Sequence, residues 1–236
     1  PFPRFPEGKG YSLPLGGAGE VSIKYTKRKM RKIMTAMLLF LSLGSMAQNA
    51  RNILDATAAK IKQMGDARAT FTATSFNGTT EQASTKGTMM LQGKKMQLST
   101  DDMKTWYNGK NQWSLIPKSG EVNVSNPTER EMANMNPYSF LGIYKKGYKM
   151  KAKQTKLRGK DAYEIHLVAR YAGSNAQEMY IDVAKNDYTP LCIRVRQDND
   201  WNRISIHSIQ GNQHFTDEDF EFSKSEYPNV EIIDLR

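Results

Sequence analysis

The side chains able to carry acid–base, nucleophilic or metal chemistry are few and scattered. The chain has three histidines, His166, His207 and His214, and one cysteine, Cys192. Proton transfer would need a histidine or carboxylate within hydrogen-bond reach of a partner. His166 and His207 instead fall on the polar parity of segments whose other parity is apolar, the pattern of a surface or edge histidine. Asp101-Asp102 and Asp217-Glu218-Asp219 supply neighbouring carboxylates, but in turn-like stretches where solvated loop charge is expected. No His-Glu-x-x-His, Cys-x-x-Cys, glycine-rich phosphate cradle or calcium loop occurs. A single cysteine allows no intrachain disulfide, and Cys192 lies among Leu191, Ile193 and Val195, where it reads as a small buried hydrophobe. These residues predict no catalysed reaction, no cofactor and no metal.

The elements around them alternate with two clear periods. Residues 50–64 place Leu54, Ala58, Ile61 and Met64 on one helical face, with Asn49 to cap the start and Gly65 to end it. From Phe71 the period becomes two. Phe71, Ala73 and Ser75 precede an Asn77-Gly78 turn; Met89 and Leu91 are joined to Met96 and Leu98 across Gly93-Lys94. Trp106-Tyr107, Asn108-Gly109-Lys110, then Trp113 and Leu115 predict a hairpin with a type I′ turn. Val122 and Val124 follow Ser119-Gly120. Residues 126–147 interrupt this meander. Asn126-Pro127 and Asn136-Pro137 set a cap before a first-turn proline, Glu129 suits a capping box, and Phe140, Leu141 and Tyr144 give an apolar helical face that Gly147 ends. Strands resume at Tyr163, Ile165 and Leu167, then Met179, Ile181 and Val183, an Asn186-Asp187 turn, Leu191, Ile193 and Val195, and Ile204 and Ile206. Phe220 and Phe222 lead into Tyr227-Pro228-Asn229-Val230. About ten strands with one apolar face each predict an α+β, mostly β domain, an antiparallel sheet with one wet side and long enough to curl.

The amino-terminal part reads differently. Met30-Arg31-Lys32, an apolar run from Ile33 to Leu43, and Gly44-Ser45-Met46-Ala47 have the layout of a secretory signal, with cleavage after Ala47. The apolar run falls well short of the roughly 20 residues that span a bilayer. Residues 1–29, with their prolines, glycines and Lys27-Arg28-Lys29, read as an upstream extension outside the fold, 30–47 as the signal, and 48–236 as one domain. The whole chain carries 34 basic and 24 acidic residues, a net of +10; removing residues 1–47 leaves 26 and 22, a net of +4. Most of the apparent nucleic-acid signature leaves with the signal, and the mild remainder suits weak attraction to anionic surfaces. No cysteine follows the signal, so the chain is expected to be exported and soluble rather than lipidated itself.

The order of motifs resembles the LolA-type outer-membrane lipoprotein carriers. The residues that carry the resemblance are Phe71; Gly87-Thr88-Met89-Met90-Leu91; Asn108-Gly109-Lys110 with Trp113; Asn136-Pro137-Tyr138-Ser139-Phe140-Leu141; Phe220-Glu221-Phe222, where the family has a strand; and Tyr227-Pro228-Asn229-Val230-Glu231-Ile232-Ile233. Members of the best-known type carry Arg-Pro where this chain has Gly93-Lys94, and Asp in place of Asn108. The resemblance implies an unclosed antiparallel half-barrel with helices covering its concave face. It implies acyl-chain binding and ferrying of lipoproteins from inner to outer membrane. Its partners would be lipoprotein acyl chains, an inner-membrane releasing machine and an outer-membrane acceptor, with transient membrane contact, no nucleic acid and a monomeric carrier. Methionines such as Met89, Met90, Met96, Met103, Met132 and Met135 could repack around guests of different shape. The expected lipid-binding residues are Met89, Leu91, Met96, Leu98, Trp113, Leu115, Phe140 and Leu141. Alternatives are a carrier of another lipid or glycolipid, a protein-interaction module, and a glycolipid-processing hydrolase that would need an inward-facing polar constellation.

Overall fold

The structure, a computed structural model, describes residues 49–128, 131, 144–145, 147–171, 174 and 176–236. The expected extension and signal lie outside these residues, as do most of the helical interruption, Phe140 and Leu141. The described part opens with helix α1 (49–64), which ends where Gly65 takes φ +62° and donates its N–H to the Lys62 carbonyl. Its buried side chains are Ala50, Ile53, Leu54 and Thr57, spaced at i, i+3, i+4 and i+7. The Thr57 hydroxyl returns a hydrogen bond to the Ile53 carbonyl at 2.9 Å, so the helix can bury it.

Twelve strands follow among the described residues. The first meander is β1 (Ala67–Asn77), β2 (Thr80–Gln92), β3 (Lys95–Thr100), β4 (Lys104–Tyr107), β5 (Gln112–Ile116) and β6 (Glu121–Ser125). The second is β7 (Tyr148–Leu157), β8 (Lys160–Ala169), β9 (Glu178–Ala184), β10 (Pro190–Gln197) and β11 (Asp200–Gln210); a 3-10 turn (Asp217–Phe220) and β12 (Glu231–Asp234) end the chain. All lie in one sheet, ordered β12-β6-β5-β4-β3-β2-β1-β11-β10-β9-β8-β7. β1 pairs with β11 and so joins the two meanders. Every neighbouring pair is antiparallel except β12 with β6, and the sheet does not close: β12 and β7 are its edges. The unclosed, mostly antiparallel sheet is the fold the sequence predicts.

Cross-strand partners share a face, so the register assigns every side chain. Ile165, Ile181, Ile193, Ile204 and Ala73 form one continuous row across β8, β9, β10, β11 and β1. α1 packs on that face, here called inner: Ala50, Ile53 and Leu54 join Ile165, Leu167, Met179, Ile181, Val183, Ile193 and Val195 in the main core. Each such aliphatic residue contributes about 1.5–3 kcal/mol when fully buried. The opposite, outer face of the same strands carries a small apolar cluster of Ala162, Ala184 and Leu191 toward the β7–β8 turn and is polar along most of its length. There Arg194 meets Glu164 at 2.7 Å and Asp182 at 3.4 Å, and His166 meets Glu178 at 2.7 Å.

Several local expectations differ. β7 alternates Lys149, Lys151 and Lys153 with Met150 and Ala152, too weak an apolar pattern to be read as a strand, yet its full length pairs with β8. β12 is a further strand. The Phe220–Phe222 stretch is not a strand: Phe220 closes the 3-10 turn, where the Asp219 carboxylate accepts the Thr216 backbone N–H at 2.8 Å. The turn after β4 spans four residues, and the Asn108 side-chain oxygen accepts the N–H groups of Lys110 and Asn111 at 3.1 and 3.0 Å. The Asn108 N–H also donates to the Asn111 carbonyl at 3.2 Å, and only Gly109 has a positive φ, so the turn is centred on Gly109-Lys110 with an Asx cap and is not the expected type I′ turn on Asn108-Gly109. A capping box is made by Thr128 and Glu131, whose carboxylate accepts the Thr128 N–H at 2.7 Å; Glu129, expected in that role, lies outside the described residues.

Candidate functional site

The inner face of β1–β3 extends the main core into an apolar strip. Met89 is paired with Leu98, Leu91 with Met96, and Ala69 with Met89 across β1. Met96 is 1 % exposed and Met89 4 %, while Leu91, Leu98, Phe71 and Ala73 are half-buried. Phe71 sits opposite Gly87, and its ring lies directly over the glycine: a Cβ there would come within 2.4 Å of the Phe71 Cζ. Gly87 is therefore the residue that lets the ring lie flat on the strip.

Beyond β3 the inner face changes character. Leu98 is paired with Thr105, Thr105 with Ser114, and Ser114 with Asn123, while Gln112 lies opposite Tyr107 and Ser125. Thr105 and Ser114 are 3.3 Å apart between hydroxyls, and the Gln112 amide donates to the Ser114 hydroxyl at 3.1 Å. Among the described residues the buried Gln112 Oε1 has no hydrogen-bond partner. A neutral hydrogen-bonding strip thus borders an apolar one.

Four of the expected lining residues, Met89, Leu91, Met96 and Leu98, are brought together on this inner face. Trp113 and Leu115 are not among them. Trp113 is paired with Trp106, and Leu115 with Lys104, and both pairs stand on the outer face. There Trp106, Leu115, Val122 and Val124 form a second core, capped by Trp113, Phe222, Tyr227 and Val230. Trp106 meets the rings of Phe222 and Tyr227 edge-on at 5.7 and 5.6 Å, and the Lys104 ammonium lies 4.7 Å from the Trp106 ring. Gln97 donates to the Asp219 carbonyl at 2.7 Å and Asn108 to Glu221 at 2.8 Å. The segment after β11 therefore straps the outer face of β3–β6, and the apolar parity of β4–β6 turns away from that of β1–β3. Phe140 and Leu141, the remaining two, lie outside the described residues.

The titratable groups are engaged elsewhere. Burial alone would raise the Glu164 carboxyl, but hydrogen bonds from Lys153 and Arg194 outweigh it and hold the group below the ordinary carboxylate range. Asp182 goes the other way: its burial prevails over the attraction of Arg194 and raises it. Burial also raises the Cys192 thiol. Two cavities of about 530 and 370 Å³ lie away from the strip. One is lined by Lys160, Asp161, Lys185 and Asp187 beside Ala184 and Leu191, the other by Arg158, Asp182, Arg194 and Arg203 beside Leu157 and Cys192; a hydrocarbon in either would lie against charged groups. Among the described residues, no group of three or more His, Cys, Asp or Glu side chains could hold a metal ion.

The sequence profile described as outer membrane lipoprotein carrier protein LolA matches residues 41–199. The chain belongs to the LolA family. Among solved structures, an uncharacterized conserved protein from Thermus thermophilus matches at 10 % identity and TM-score 0.52, over 79 % of this chain and 99 % of that one. A putative outer membrane lipoprotein-sorting protein domain from Vibrio parahaemolyticus matches at 12 % identity and TM-score 0.43, over 77 % and 99 %. LprF from Mycobacterium bovis matches at 8 % identity and TM-score 0.48, over 72 % and 96 %. No curated protein matches the sequence. At 10 % identity the Thermus structure speaks for the fold alone, and the LolA assignment rests on the profile. What sequence reasoning missed in this LolA-type chain is the neutral strip of Thr105, Gln112, Ser114 and Asn123. Its signal was present as a hydroxyl and amide parity alternating with Trp106, Trp113 and Leu115.

Proposed function

We propose that this LolA-type chain is a periplasmic carrier that takes acyl chains of lipoproteins onto the inner face of its sheet and ferries them between membranes. The observation that carries the reading is the apolar strip of Phe71, Met89, Leu91, Met96 and Leu98, running on one face from the α1 core. Leu91, Leu98 and Phe71 are the half-buried members against which a guest would lie, and Met89 and Met96 are flexible enough to part for it. The neutral strip beside it would meet the ester and amide groups at the head of an acylated peptide, with Gln112 Oε1 as an acceptor. Sequestering an acyl chain is worth about 0.8 kcal/mol per methylene, so roughly 10 kcal/mol or more per chain. A membrane hides the chain equally well. Transfer is then close to neutral, and a releasing machine in the inner membrane and an acceptor in the outer membrane would set its direction. Organic extract of the protein purified from its native envelope, analysed by mass spectrometry, tests this. Acylated peptide or lipid at near one-to-one stoichiometry is expected; protein that is consistently free of any amphiphile, even after crosslinking in the envelope, would refute it.

A further inference from the structure

The edge strand β7 is ten residues long and regular, and its far side has no strand partner among the described residues. Its hairpin with β8 closes on Leu157 opposite Lys160, with Arg158 and Gly159 between them at φ +51° and +77°. In a two-residue hairpin the flanking pair is hydrogen-bonded to itself. Counting back by twos, Lys153, Lys151 and Lys149 direct their backbone groups at β8, whereas Met150, Ala152 and Gln154 present N–H and C=O to the open side. The Arg170 N–H donating to the Gly147 carbonyl at 2.8 Å continues the same phase.

The side chains of this edge are sorted as well. Lys149, Lys151 and Lys153 stand in a row on the outer face and are exposed, while Met150 and Ala152 lean on the main core. Lys153 meets Glu164 at 2.8 Å; Lys149 and Lys151 have no ion pair among the described residues. We propose that this edge docks an extended acidic segment of a partner protein, which adds to β7 as a further strand with acidic and apolar residues alternating. Backbone hydrogen bonds would supply affinity and the lysine row would supply specificity. Lysines also guard an edge against pairing with a second copy. Here they do so by like charge, which repels another β7 and attracts an acidic strand laid opposite. Lysine can close an edge by itself, as can shortness, a bulge or a proline; β7 has none of the last three and keeps ten residues in unbroken register with β8, so its outward backbone stays competent to pair with a strand of opposite charge. The site lies outside the proposed acyl strip and stands without it.

The test measures fluorescence anisotropy of a ten-residue peptide alternating Glu and Val, at low salt. It uses the protein as recovered from cells and stripped of lipid, with its amino terminus read by mass spectrometry. The alternating peptide is expected to bind at least tenfold tighter than the same residues in two blocks or than alternating Lys and Val. Lys149→Glu with Lys151→Glu should cost at least tenfold, and the same reversals at Lys62 and Lys110, exposed elsewhere, should cost less than twofold. Ala152→Pro removes an outward N–H that β8 does not use, and should weaken binding at least fivefold with all charges kept. Should that variant fail to fold, two peptides methylated on alternate backbone nitrogens replace it with the unaltered protein: one parity should abolish binding and the other leave it. Equal binding of alternating and block peptides, or indifference to the lost N–H, would overturn the proposal. So would absent peptide binding together with retention on phosphatidylglycerol vesicles through Lys149 and Lys151, which would assign the row to a membrane surface.

Discussion

Replacing Trp106 with alanine should unfasten the strap from the outer face without touching the apolar strip on the other side of the sheet. Trp106 is 2 % exposed and meets Phe222 and Tyr227 edge-on at 5.7 and 5.6 Å. Truncating a buried tryptophan costs about 3–5 kcal/mol, a sum that already contains about 0.5–1.5 kcal/mol for each aromatic contact. Against a total of about 5–15 kcal/mol for a native domain, that is a large share. For a domain of this size each kcal/mol moves the midpoint by about 2–4 °C, so the expected fall in Tm is about 6–20 °C. Thermal circular dichroism gives the loss, and amide hydrogen exchange gives its location. Exchange should rise first over residues 213–234 and over β4–β6, while Ile165, Ile181 and Ile193 in the α1 core keep their protection. Acyl binding measured below the new midpoint should stay within twofold of the unaltered protein. A midpoint lowered by less than about 2 °C, or lost lipid binding with the fold intact, would refute the division of the sheet into a structural outer core and an inner binding strip.

Gly87→Ala places a methyl group 2.4 Å from the Phe71 ring and should destabilise the chain by about 1–3 kcal/mol in urea unfolding, part of which Phe71→Leu in the same chain should restore. Glu164 is held below its unfolded value, so its contribution is present at neutral pH and disappears as pH falls through the folded value. Glu164→Gln should flatten the acid limb of a stability profile below about pH 4–5. Asp182 has the opposite sign, because a raised folded value makes its ionisation oppose folding as pH rises through it. Asp182→Asn should therefore remove a decline in stability on the alkaline side of the ordinary carboxylate range in the same titration. Leu98→Glu sets a charge in the middle of the apolar strip and should cut acyl-chain binding at least tenfold in a fluorescent fatty-acid displacement assay, with a smaller effect on Tm because Leu98 is only half-buried.

The strand pattern of this chain was legible wherever apolar and polar residues alternate strongly. Met89 and Leu91, Met96 and Leu98, and the Ile165, Ile181 and Ile193 row were all readable as one apolar face per strand. The direction of that face was not. Trp113 and Leu115 alternate as cleanly as Met96 and Leu98, and only the register across the Asp101-Asp102 turn, Ser99 opposite Lys104, shows that they point to the other side. The reason they can is the strap after β11, a covering contact more than a hundred residues away that no local period encodes. β7 was hidden for the opposite reason: its inner residues, Met150 and Ala152, are too few and too small to outweigh its lysines, and pairing with β8 decides the matter. Phe220 and Phe222 were read by family pattern as a strand, yet Thr216 and Asp219 close a 3-10 turn there.

The most direct test of the account is a photocrosslinking amino acid placed at position 98 and, separately, at position 113, in cells whose lipoproteins are labelled in their acyl chains. Position 98 should capture labelled acyl chains, and position 113 should capture only the protein's own residues 222–230. Acyl label at 113 and none at 98 would contradict the claim that cargo lies on the inner face.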